Sequence, residues 1–160
     1  MAKKIFIFGI GLVVLVGILF FALGSDRVSS FETVSNYDGE MTIYKSGSCG
    51  CCNVYSNYFE DRGNPNVDVI NSENLNLLKE EYGVPSELES CHTTIIGDYF
   101  VEGHIPLEAV EKLLSERPDI AGIAMPGMPS GSPGMPGGKN GDFVIYAVNH
   151  DGTYEEFMRI

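Results

Sequence analysis

The stretch Met41-Thr42-Ile43-Tyr44-Lys45-Ser46-Gly47-Ser48-Cys49-Gly50-Cys51-Cys52-Asn53-Val54-Tyr55-Ser56-Asn57-Tyr58-Phe59 decides how this chain is read. Met41 to Tyr44 is a short run rich in β-formers, and Lys45 to Ser48 is a polar, glycine-containing loop. Val54, Tyr55, Tyr58 and Phe59 then recur at helical spacing. The order is strand, loop, helix, with three cysteines in four residues where the helix opens. A helix N-terminus presents unpaired N–H groups and the positive end of a dipole, and both favour thiolate over thiol. Cys49 and Cys52 have Cys-x-x-Cys spacing, and Cys51 stands between them. Consecutive Cα atoms lie about 3.8 Å apart, below the usual disulfide range of about 4.4–6.8 Å, so Cys51 and Cys52 should not pair. The remaining cysteine, Cys91, adjoins His92. Thiolates are soft ligands, and a cluster of them selects Cu(I), zinc or iron–sulfur chemistry.

Working outward, Val67 to Ile70 predicts a second strand, and Leu75, Leu78, Lys79 and Tyr82 predict a helix that Gly83 and Pro85 end. Thr93–Ile96 and Tyr99–Glu102, joined by Gly97-Asp98, carry the signal of a hairpin. Pro106, Ala109, Val110, Leu113 and Leu114 predict the next helix. From Pro126 to Gly138 nine of thirteen residues are Pro or Gly, which predicts a loop. Residues 143–160 alternate around Asp151-Gly152 and predict a C-terminal hairpin. No internal repeat is visible. The fold class is α/β.

At the N-terminus Lys3 and Lys4 precede Ile5–Leu23, a run without a charged residue. A helix needs roughly 20 apolar residues to cross a bilayer, so residues 1–24 are expected to form a membrane anchor, or an uncleaved signal. The positive-inside rule puts the rest on the extracytoplasmic side of the cell membrane, as a single-pass protein in an oxidising compartment. Residues 25–40 are read as a polar stalk and residues 41–160 as the domain, including the Gly/Pro/Met loop 125–138 and the hairpin 143–160.

The formal charge is −12, and removing the two positive charges of Lys3 and Lys4 leaves −14 beyond the anchor. Eight basic residues there cannot neutralise a phosphate backbone, so nucleic acid is excluded as a partner. The charge supplies solubility and attraction for cations.

A strand leading through a loop into a helix that opens on Cys-x-x-Cys is the setting of thioredoxin-like redox sites. In that fold the segment before the hairpin lies against the cysteine loop, so Ser90-Cys91-His92 is expected to meet the cluster. The usual cis-proline of that segment is replaced here by Cys91 and His92, which favours metal over generic disulfide exchange. The competing structural reading is a disulfide from one clustered cysteine to Cys91, which would stabilise by about 4 kcal/mol.

With Cys49-Gly50-Cys51-Cys52, Gly83-Val84-Pro85, Ser90-Cys91-His92-Thr93, Val101-Glu102-Gly103-His104-Ile105-Pro106, Pro126-Gly127-Met128-Pro129 and Gly131-Ser132-Pro133-Gly134-Met135 in view, the chain resembles the CopG-like family of exported metal-binding proteins associated with copper resistance. The resemblance implies a thioredoxin-like domain, here with an added C-terminal β-hairpin and a preceding transmembrane helix. It also implies a copper site on Cys49, Cys51, Cys52 and Cys91, with a role in copper redox handling.

His92 is expected to complete a metal site or to hold a thiolate. His104 alone reads as a turn residue, and the resemblance adds it to the candidate ligands. Met125, Met128 and Met135 lie in a loop that cannot be amphipathic. They either fill gaps beneath an ordered loop, belong to a disordered tract, or act as thioether ligands on a flap over Cu(I). Met128 and Met135 enter the candidate set, whereas His150, at a hairpin tip, does not. The expected cargo is copper, as Cu(I) and in a multinuclear cluster if thiolates bridge. Zinc is the weaker alternative because paired Cys motifs are incomplete. Expected partners are copper ions, an electron-transfer or copper-donor protein, and the cytoplasmic membrane through the N-terminal helix. The alternative function is an enzyme, a membrane-tethered thiol–disulfide oxidoreductase using Cys49 as nucleophile and Cys52 as resolving thiol.

Overall fold

Strand β1 (Met41–Lys45) is buried and is paired on both sides, in parallel with β2 (Asp68–Asn71) and antiparallel with β3 (His92–Ile96). The structure, a computed structural model, describes residues 31–160. The expected anchor over 1–24 and the first part of the expected stalk lie outside these residues. Among the described residues no helix is long and apolar enough to cross a membrane.

The sheet is mixed and seven-stranded. It adds β4 (Tyr99–Glu102), β5 (Gly122–Ala124), β6 (Val144–Val148) and β7 (Tyr154–Arg159) in the order β2-β1-β3-β4-β5-β6-β7. Four helices accompany it: α1 (Glu32–Ser35), α2 (Gly50–Arg62), α3 (Leu75–Glu81) and α4 (Leu107–Glu116). Helix α4 buries Leu107, Ala109, Val110, Leu113 and Leu114, which join Ile43, Tyr55, Phe59, Ile96, Val101 and Ile123 in the main core. The hairpin at 143–160 continues the main sheet through β5, which pairs parallel to β4 and antiparallel to β6. The three residues of β5 carry too short a pattern for sequence reading to find them.

The register collects the chemistry at one end of the sheet. Lys45 at the end of β1 pairs with His92 at the start of β3, so Cys91 adjoins the loop that leads to Cys49. Glu102 at the end of β4 pairs with Thr93 and with Ala124, which brings His104 and the Pro/Gly loop to the same end.

Residues 31–40, given to the stalk by their polarity, carry α1 and bury Val34 in the core. Asn64 Nδ2 donates to the Val34 and Tyr37 carbonyls, 2.9 Å each. Glu111 accepts from Thr33 N–H, Val34 N–H and the Thr33 hydroxyl at 3.0, 3.0 and 2.5 Å. Burial alone would raise Glu111, but these bonds outweigh it and hold its carboxyl below the ordinary 4.5. A carboxyl whose folded pKa is depressed stabilises above its unfolded pKa and loses that contribution as pH falls through the folded value. Glu111→Ala is therefore expected to cost about 1–2 kcal/mol near neutral pH and less at about pH 3, where the charge-dependent part of these bonds is being lost. Urea denaturation at the two pH values checks this, and an equal loss at both would refute the account.

Candidate metal centre

Cys49 caps helix α2 in extended conformation and accepts the Cys52 N–H on its sulfur at 3.3 Å. Cys51 and Cys52 lie in the first turn, Cys52 fully buried and Cys51 half-buried. Cys91 arrives from the segment before β3, with its Sγ 3.4 Å from Cys52 Sγ. Cys51 Sγ is 3.5 Å from Cys49 Sγ. Cys49 and Cys52 form a disulfide, with Cα atoms 5.3 Å apart, while Cys51 and Cys91 are free thiols. The competing bond from the cluster to Cys91 is not made. All four sulfur atoms lie within 4.8 Å of one another.

A second group shares two of these sulfurs. Cys52, Cys91, His92 and His104 also place one ligand atom each within 4.8 Å of the others. Cys91 Sγ lies 3.0 Å from His104 Nε2 and 3.4 Å from His92 Nδ1. His104 Nδ1 donates to the Pro133 carbonyl at 2.7 Å, since a carbonyl only accepts. That bond leaves the Nε2 lone pair facing Cys91, the arrangement in which an outer acceptor orients a ligand imidazole. The His92 and His104 rings meet edge to face with centroids 4.8 Å apart, and Tyr55 packs against both.

Burial pushes His92 well below its ordinary 6.5, helped by His104, and burial also lowers His104. Both rings are therefore neutral near pH 7, the form that ligates metal. Burial, with Cys51 beside it, pushes the Cys91 thiol up to about 11. A bound cation reverses that balance, because a coordinating thiol is deprotonated outright. His92 Nε2 is buried without a hydrogen-bond partner among the described residues. Native structures seldom leave such an atom unpaired unless water, an ion or function accounts for it. Soft sulfur donors beside neutral imidazoles fit a soft or borderline metal.

The turn that delivers His104 depends on Gly103, with φ +86°, where a β-carbon would lie 2.8 Å from both Met125 O and Ser90. The Pro/Gly loop docks on the site. Ser90 Oγ donates to Gly127 O, Ser132 is buried, and Gly134 lies against Cys51 O and Tyr55 N. Met125 belongs to the core at 1% exposure, Met128 is 52% exposed, and Met135 is half-buried beside Gly134. His150 pairs with Asp119 at 3.1 Å on the surface.

Sequence reasoning missed the support beneath Cys91 and His92. Glu102, fully buried, accepts from the Lys79 ammonium, the Ser90 N–H and the Thr93 hydroxyl, so one carboxylate clamps both sides of the Cys91-His92 pair. The available signal was Lys79, four residues after Leu75 on a face otherwise marked by apolar residues. Burial raises Glu102 against the pull of Lys79 and of these donors.

Residues 88–135 match the family described as "Protein of unknown function, DUF411", a segment that spans Cys91, His92, His104 and the docked loop. The chain is also similar to a solved structure named copper resistance protein CopG, Form 1. Identity is 33%, covering 76% of this chain and 96% of that one, with a TM-score of 0.69. A Form 2 structure of the same name gives 32% identity, covers 76% of this chain and 98% of that one, and has a TM-score of 0.70. This chain belongs to the CopG family. A comparison with curated proteins found no match. In CopG terms, the alignment of the DUF411 segment with the Cys91 side of the site leaves the Cys49–Cys52 half on the preceding part of the chain.

Proposed function

We propose that the chain binds copper as Cu(I) through Cys49, Cys51, Cys52 and Cys91, with His92 and His104 as nitrogen ligands. The observation that carries this reading is the convergence of four sulfurs and two imidazoles in two groups that share Cys52 and Cys91. Thiolates bridging these groups would hold more than one ion, and zinc is the weaker reading because the paired Cys motifs of structural zinc sites are incomplete. Met128 and Met135, on the loop docked against Cys51, are the expected soft donors at the mouth.

The reading extends to a thioredoxin-like domain, supported by the strand order β2-β1-β3-β4 with helices after β1, β2 and β4. It also extends to a place outside the cytoplasmic membrane, supported by Lys3 and Lys4 ahead of the uncharged run from Ile5 to Leu23. A copper-donor or electron-transfer protein would be the partner. The disulfide divides the site into two states, because Cys49 and Cys52 ligate only when reduced. Copper uptake is thereby coupled to redox state, which suits copper redox handling in a copper-resistance family.

Elemental analysis with thiol titration tests the assignment. Reduced protein loaded with Cu(I) is expected to retain copper with all four thiols protected from alkylation, and each Cys→Ser variant to retain less. Unchanged copper content in all four variants would sink it. The disulfide also favours a second reading, a thiol–disulfide oxidoreductase using Cys49 and Cys52. That reading requires turnover of a dithiol substrate by metal-free protein, and absence of turnover counts against it.

A further inference from the structure

The disulfide has a free thiol at each end, and the two are not equivalent. Cys91 Sγ stands 3.4 Å from Cys52 Sγ, and Cys51 Sγ stands 3.5 Å from Cys49 Sγ. Attack on a disulfide requires a nucleophilic sulfur that comes into line with the bond it breaks, a route for its proton and a leaving sulfur that tolerates charge. With all four sulfurs within 4.8 Å of one another neither thiol starts in line, so Cys91 reaches the attack line by rotation of its side chain. Cys91 has the first two together, because His104 Nε2 lies 3.0 Å from its sulfur while Nδ1 is held as a donor by Pro133 O. Attack on Cys52 expels Cys49, and that sulfur is half-exposed at the N-terminus of the 13-residue helix α2, with the Cys52 N–H pointing at it. Cys51 has the opposite prospect. Its attack on Cys49 would put the leaving charge on Cys52, which is fully buried.

We propose that Cys91 is an exchange nucleophile with His104 as its general base, so that the disulfide migrates between Cys49–Cys52 and Cys52–Cys91. The Cys91 proton passes to His104 Nε2 as the sulfur electron pair forms a bond to Cys52. The Cys49–Cys52 bond breaks with its electron pair left on Cys49, and that thiolate takes up one proton as His104 returns one to solvent. One disulfide replaces another and nothing is oxidised or reduced overall, so no outside oxidant is needed. The base is at hand, since His104 Nε2 lies 3.0 Å from the Cys91 sulfur and its other nitrogen is held by the Pro133 carbonyl. This activity goes beyond both readings above, requiring neither copper nor an external dithiol. Its product has a disulfide that joins buried Cys52 to half-buried Cys91, and two thiols, Cys49 and Cys51, at the start of helix α2.

The experiment uses metal-free, oxidised full chain, incubated with iodoacetamide and quenched in acid at intervals, with linkages mapped by peptide mass spectrometry. The expected result is progressive alkylation of Cys49 together with a cross-linked peptide joining Cys52 to Cys91. His104→Gln should slow this at least tenfold, and Cys91→Ser should abolish it. In a second variant, Cys49→Ser, oxidation should give a monomer with the Cys52–Cys91 bond. Alkylation confined to Cys51 and Cys91 in the wild-type chain, Cys49 labelling in Cys91→Ser at the wild-type rate, or formation of only intermolecular bonds by Cys49→Ser would each overturn the proposal. Copper content plays no part in these measurements, so their failure leaves the copper assignment standing.

Discussion

Replacing Lys79 by methionine is expected to destabilise the domain by about 3–5 kcal/mol, the usual cost of removing one partner from a buried ion pair. Lys79 is 2% exposed and Glu102 0% exposed, so water does not replace the lost ammonium. Lys79 Nζ also donates to Thr93 Oγ1 at 3.0 Å, and Thr93 in turn donates to the second carboxylate oxygen at 2.6 Å. The single change leaves a carboxylate in a low-dielectric site with only the Ser90 N–H and the Thr93 hydroxyl as donors. The double variant Lys79→Met/Glu102→Gln removes the buried charge, and its amide oxygen still accepts from Ser90. It should recover more than half of the loss. Urea denaturation of metal-free protein, with unchanged m-value, measures both. A cost below about 1 kcal/mol for the single variant, or no recovery in the double, would mean that the pair does not carry its charge in the folded state.

The contrast between Lys79 and the cysteines explains what could be read before the structure. Hairpin β3–β4 was legible because its Gly97-Asp98 turn and flanking runs are contiguous, and the strand–loop–helix around Cys49 was legible for the same reason. Three of the four thiols are brought together by chain adjacency alone. Cys91 was placed by an expected topology, and the pairing of Lys45 with His92 is what brings it there. Glu102 and Lys79 are 23 residues apart on different elements, and each alone looks like a solvated charge. Only the depth of the sheet makes them a pair. Strand β5 failed for a different reason: three residues have almost no pattern of their own and owe their extended form to β4 and β6 on either side. The stalk reading stopped at Glu40 because Val34 is one apolar residue in a polar run, and its burial depends on Asn64 and Glu111 reaching across from elsewhere.

The Pro/Gly loop leads to the second large effect. Gly134→Val is expected to weaken Cu(I) retention by reduced protein about 10–100-fold, the range typical for loss of an outer partner of a metal ligand. Gly134 has φ +82°, which side chains other than glycine adopt with strain, and an added β-carbon would meet Cys51 O and Tyr55 N at 2.8 Å. Both obstacles are helix backbone, so the loop must yield. Pro133 then withdraws its carbonyl from His104 Nδ1, a 2.7 Å bond that sets which nitrogen faces Cys91. Without it the ring is free to turn or to present the wrong tautomer, and the sulfur–nitrogen half of the site loosens while the cysteines of α2 stay in place. Gly138→Ala is the matched control, since a β-carbon there meets nothing within 4 Å. Competition against a Cu(I) chelator reads the affinity, and the thermal midpoint of the metal-free forms reads the fold. The account requires Gly134→Val to lose affinity with a midpoint close to that of Gly138→Ala. Equal affinities for the two variants would show that the loop covers the site without holding His104 for the metal.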